Sequence, residues 1–269
     1  MRQVSFYMSD PSIEHILNID PDRDWRYFGN GVVIWIAQTF LRLRNCGAKV
    51  ALTSTPPNDG VVVLHADDLP SYVAANGRRN RCFVVCVRAD RNPNPDTDLE
   101  IVQNLFLEQS NRTKYIPHWP QPGLKSRVRE RGTLVQNITF KGYPAQLHEM
   151  FRTLHWQRFL KLHKLRWNED SATWTGKRLR LFSEMNWNDY SESDVLIAVR
   201  PNKGSGYPNK PACKLTNAWA AGTPAILGPE VAYRGLKTSD LDYLEAASFE
   251  EVGASVELLI KSPDIYPQE

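Results

Sequence analysis

No stretch of this 269-residue chain approaches the roughly 18 consecutive apolar residues that span a membrane, and no secretory leader is read at its start. A soluble, cytoplasmic protein is the expectation, with contact at a membrane surface left open. Cysteine is scarce. Cys46, Cys82, Cys86 and Cys213 are widely spaced and form no C-x-x-C, which points to reduced thiols and away from a disulfide framework or a zinc site. Charge of either sign is barely in excess: the net value of +3 is too small to argue for a nucleic-acid partner, although it suits an anionic ligand. The P-loop, H-E-x-x-H and G-x-S-x-G patterns are all missing. Glycine pairs occur at Gly29/Gly31 and Gly204/Gly206, but neither has the third glycine of a dinucleotide fingerprint, so a dehydrogenase is a poor reading.

What is there alternates between strand and helix. Short apolar, β-branched runs read as strands at Val4–Met8, Ala48–Thr53, Val61–Leu64, Cys82–Val87, Leu99–Val102 and Lys114–Ile116. A helix is predicted over Val32–Leu43. The polar, basic stretch 121–132 reads as a linker between a domain at 1–120 and another at 133–269. Beyond it, strands are predicted at Thr133–Phe140, Arg178–Phe182 and Val195–Val199. A long helix, broken once, is predicted over Leu147–Trp167, and a last helix over Phe249–Ile260. Two doubly wound, Rossmann-like α/β domains facing across a cleft are the expected architecture.

The chain is organised around Tyr207–Gly228. Pro208 and Pro211 break the backbone, Lys214–Ala221 has helix-forming composition, Gly222 is placed to stop that helix, and Ala225–Leu227 reads as a buried strand. Ahead of the helix lies Lys203-Gly204-Ser205-Gly206. A helix N-terminus offers unpaired N–H groups and partial positive charge, so this loop with Lys210 and Lys214 reads as a diphosphate cradle. Arg200 and Lys141, each ending a predicted strand, are candidate phosphate ligands; Lys141 reads equally as a solvated turn residue. Trp187 and Tyr190 fit either base stacking or core packing. Gly29 and Gly31 fit either a turn before a helix or backbone that approaches a phosphate or sugar.

The pattern Lys214, Leu215, Asn217, Ala218, Ala220, Ala221, Gly222, Pro224, Ala225, Ile226 resembles the donor-binding helix of GT-B glycosyltransferases of the group 1 superfamily. In that family's large retaining branch a glutamate on this helix holds the donor ribose and pairs with another eight positions earlier; here those positions hold Asn217 and Asn209. His65 through Asp68 resembles the V-V-H-x-H-D/E segment of the N-terminal domains of that family, and His118 lies in a stretch similar to the segment that ends them. The resemblance implies a closing helix that crosses back onto the first domain, and its lack near Tyr266 reads as truncation.

The resemblance implies sugar transfer from a nucleotide diphosphate sugar, a co-substrate rather than a cofactor, to a glycan, lipid or small-molecule hydroxyl. It implies no metal, the leaving diphosphate being stabilised by the helix N-terminus with Lys214, Arg200 and Lys141. Asn209 and Asn217 are expected to contact the nucleotide. An inverting reaction needs a base, for which Asp67, Asp90 and Asp10 are the candidates; a retaining reaction needs none. A nucleotide-sugar-binding partner or regulator without turnover is the alternative, and a sugar-nucleotide 2-epimerase a weaker one.

Overall fold

Aliphatic runs too short for helices fold here into two all-parallel sheets. The computed structural model describes residues 2–10, 13–76, 81–171, 174–175, 178–179, 185–201 and 207–262. The chain divides into two units: Met1–Pro117 with Asn209–Pro211, and His118–Pro208 with Ala212–Glu269.

The first unit holds β1 (Val4–Tyr7), α1 (Ile13–Ile16), a π-helical turn at Val33–Ala37 running into α2 (Gln38–Asn45), β2 (Val50–Thr53), β3 (Asp59–His65), α3 (Leu69–Asn76), β4 (Arg81–Val87), β5 (Leu99–Val102) and β6 (Thr113–Tyr115). Its strands lie in the order β2-β1-β3-β4-β5-β6, every pair parallel. Alternate residues of each strand face opposite sides, so Phe6, Val63 and Val85 pack with the Val33–Leu41 helix while Tyr7, Val62, Leu64 and Cys86 pack with Leu69 and Tyr72 of α3. Gly60 sits at φ +97°, and a Cβ there would come within 2.6 Å of the Gln3 carbonyl oxygen, so only glycine lets β3 lie against the start of β1.

The second unit holds β7 (Asn137–Gly142), α4 (Leu154–Leu162), β8 (Arg166–Ser171), a β9–β10 pair (Trp174–Thr175 and Arg178–Leu179, antiparallel), β11 (Val195–Ala198), α5 (Cys213–Ala221), β12 (Ala225–Leu227), α6 (Val231–Arg234), β13 (Leu244–Glu245) and α7 (Phe249–Lys261). The sheet order is β13-β12-β11-β7-β8, again all parallel. Every residue of β7 and β11 is buried, the mark of a central strand covered on both faces. Val195 and Ile197 point to the face covered by α4 and α7, Leu196 and Ala198 to the face covered by α5 and α6. Gly222 caps α5 in the left-handed region at φ +63°, and Ser248 with Glu251 forms a capping box on α7.

Three expectations need correction. The long helix over 147–167 is a pair of 3-10 turns followed by α4, and Arg166 and Trp167 belong to strand β8. The 121–132 stretch packs as part of the second unit: Arg127 and Arg131 pair with fully buried Asp194, and Gln121 is itself buried. Arg178–Leu179 pairs only with Trp174–Thr175 and is not a strand of the main sheet; residues 180–184 lie outside the described ones.

Candidate functional site

In an open α/β sheet, ligands bind beyond the carboxyl ends of the strands, where successive crossovers leave in opposite directions. In the second unit that point lies between β7 and β11, because the chain goes from β7 to β8 on one side and returns to β11 on the other. Lys141 and Gly142 end β7, Arg200 follows β11, and Lys214 sits in the first turn of α5. Three cations from three elements therefore meet.

Lys214 donates from Nζ to the Lys141 carbonyl and lies 5.2 Å from the centre of the Phe140 ring. Burial pulls its amine down to about 8, and the neighbouring Arg200 and Lys141 push in the same direction against Cys213 and Glu230. Gly142 is at φ +150°, and a Cβ there would stand 2.8 Å from the Lys214 Nζ, so this glycine makes room for the amine. Lys141 is buried, donates to the Asn186 carbonyl at 3.1 Å and approaches Asp170 at 3.6 Å; burial is the main cause that lowers its pKa. Arg200 pairs with Glu230, reaches the Gln146 Oε1 at 3.4 Å and lies over Tyr207, while its buried Nε has no acceptor. The Tyr233 hydroxyl beside this pair is also buried and without a partner. Ala212 caps α5 with no side-chain acceptor, so the first N–H groups of the helix are left for another one. An anion fits this arrangement.

The other sequence candidates are placed differently. Asn217 is buried, and its Oδ1 accepts the Gln121 backbone N–H at 2.8 Å, so its carbonyl oxygen is spent inside the unit. Tyr190 is buried and bonds to Asn217, which makes it a core residue. Asn209 and Lys210 group with the first unit, Lys210 pairing with Asp90 at 2.6 Å. Gly204, Ser205 and Gly206 lie outside the described residues, as does Lys203.

The same topological point in the first unit lies between β1 and β3. Asp10 is exposed there. Arg91 grips Asp67 with two hydrogen bonds of 2.7 and 2.9 Å, and this pairing holds the carboxyl below its ordinary range. Burial opposes ionisation of Asp90, but Lys210 and Arg91 outweigh it and its pKa is lowered too. Carboxylates paired in this way are weak bases near neutral pH. Gly31 approaches the ring of His65: a Cβ there would sit 3.1 Å from Nε2. His65 is 1 % exposed, its Nδ1 accepts the Asp67 N–H, and burial keeps the ring neutral, so Nε2 carries a proton with no acceptor. Asp68 accepts from Ser9 at 2.5 Å and leaves Oδ2 without a partner. Gly29 lies two residues ahead of Gly31, which opens the helical stretch, and its N–H is bonded to the Tyr27 carbonyl. The sequence drew attention to His65 through Asp68 by their place at the end of a buried parallel strand; the unpartnered Nε2 and Oδ2 come from the fold.

Pairs of aspartates at D-x-D spacing occur at Asp20/Asp22/Asp24, Asp96/Asp98 and Asp240/Asp242. Asp20, Asp24, Asp98 and Asp242 accept backbone N–H groups, and Asp22 pairs with Arg42. Among the described residues no group of three or more His, Cys, Asp or Glu could hold a metal ion, and no helix is long and apolar enough to cross a membrane. No protein-family model matches the chain, and no curated protein matches it.

Proposed function

We propose that the second unit binds the diphosphate of a nucleotide sugar and that the protein is a glycosyltransferase of the GT-B type. One observation carries the reading: a half-buried lysine in the first turn of an uncapped helix meets two further cations at the topological switch point of a parallel sheet. Departing diphosphate gains negative charge as the glycosidic bond breaks, and fixed cations with helix N–H groups stabilise that charge most. The sugar passes to a hydroxyl of a glycan, lipid or small molecule. With Asp67 and Asp90 held ionised by arginine and lysine, catalysis in this reading rests on the leaving group more than on a carboxylate base.

A binding protein without turnover is the second reading, favoured by Asn217. Where the resemblance implies a ribose-holding glutamate, this chain has an amide whose oxygen already serves Gln121.

Calorimetric titration with UDP, GDP, dTDP and CDP tests the shared premise. One nucleotide is expected to bind, and Lys214→Ala to weaken it by about 1.5–3 kcal/mol, the range for a charge-assisted hydrogen bond. Equal affinity in a folded Lys214→Ala protein, or binding of none of the four, removes the cradle. Slow hydrolysis of the matching nucleotide sugar then separates the enzyme from the binding protein.

A further inference from the structure

The first unit contains a cavity of about 670 Å³ that none of the three cations of the nucleotide reading lines. It runs from Arg88, the residue after β4, past Glu100 of β5 to Arg112 and Thr113 at the start of β6, and is walled by the loop after β4, the turn between β5 and β6, and Asn209. The volume falls within the several hundred Å³ typical of small-molecule sites.

Its charges do not balance. Arg88 and Arg112 line the cavity with one carboxylate, Glu100. Glu100 is already engaged on both oxygens: Oε1 accepts the Asn94 N–H at 2.7 Å, and Oε2 meets Arg88 at 3.4 Å. Arg112 donates to the carbonyls of Pro95 and Thr97, which carry no charge. Arg88 is 4 % exposed, yet its Nε has no acceptor, and an arginine desolvated to that degree normally fills its fork of donors. The surrounding wall adds neutral hydrogen-bonding groups from Asn94, Gln109 and Ser110.

We propose that this cavity binds a small hydroxylated molecule bearing one anionic group, carboxylate or phosphate, which takes the open side of the Arg88 guanidinium while the amide and hydroxyl wall meets its hydroxyls. The site stands whether or not the second unit binds a nucleotide, because it is built wholly from the first.

The test is titration of the full chain with glucose, glucuronate and glucose 6-phosphate, followed by heteronuclear NMR and calorimetry. At least one of the two anions is expected to bind ten-fold or more tightly than glucose, with shifts confined to residues around Arg88, and the arm that binds names the anion. Arg88→Gln is expected to reduce that preference to none. Should Arg88→Gln fail to fold, Gln109→Trp, a change at an exposed position on the cavity wall, is expected to weaken the same anion at least ten-fold. Binding of glucose as tight as of either anion, binding untouched by Arg88→Gln or Gln109→Trp, or no binding by any of the three sugars overturns the proposal.

Discussion

A lysine amine surrounded by a carbonyl, a phenyl face, an arginine and a second lysine is poorly hydrated and repelled by its neighbours, and Lys214 titrates at about 8 for those reasons. Nucleoside diphosphates are fully ionised above about pH 7, so only the protein side changes beyond that point. Nucleotide affinity is therefore expected to fall as pH rises through about 8, where Lys214 loses its charge, and calorimetry across that range should show a flat profile for Lys214→Ala. Folding runs the opposite way. The unfolded amine holds its proton up to the ordinary 10.5, so the stability cost of this lysine is constant below about 8 and fades between the two values. Relative to Lys214→Met, the wild type is expected to gain stability over that interval in urea titrations. Lys214 was legible in the sequence because the signal was local: prolines ahead, helix formers behind, glycine at the stop. The role of Asn217 was not, because its partner Gln121 lies 96 residues away along the chain.

Among elements, the residue that leads into β11 holds the 127–137 stretch through one side chain. Asp194 is fully buried and accepts from Arg127 and Arg131 and from the backbone N–H groups of Gln136 and Asn137. Burial opposes its ionisation, but Arg131 and the two N–H groups outweigh that, so the folded carboxyl titrates below its ordinary range. Asp194→Ala is expected to cost about 3–5 kcal/mol in urea unfolding, as for a buried pair that loses one partner. The wild-type contribution should be complete above the ordinary carboxylate value and vanish as pH falls through the folded one. The buried strands were legible, since runs such as Val61–Leu64 and Val195–Val199 are too apolar and too β-branched for anything else. Strand β8 was not. Arg166–Ser171 is polar on an edge, and its extended form comes from register against β7, a contact no local pattern announces. The apolar spacing that runs on past α4 to Leu165 read as more helix for the same reason.

At the scale of the whole molecule, each unit has its own sheet and its own apolar clusters, and the cation cluster belongs to the second alone. A ligand that binds one unit stabilises that unit by mass action, about 2.7 kcal/mol at a hundred times its dissociation constant. Scanning calorimetry with the binding nucleotide is expected to resolve two transitions and to raise only one. Equal shifts of both, or no shift, would count against the placement of the site. The two-sheet architecture was legible from the strand count and order of the sequence; the packing of 121–132 into the second unit was not, because that polar stretch draws its partners from residues 188–221. Strand composition has one more outcome, for synthesis. The first sheet uses only residues 4–115 and the second only residues 137–245, so neither borrows a strand from the other. As the ribosome delivers the chain from its amino end, the first sheet has all its strands before any strand of the second has emerged, and assembly can proceed one sheet at a time.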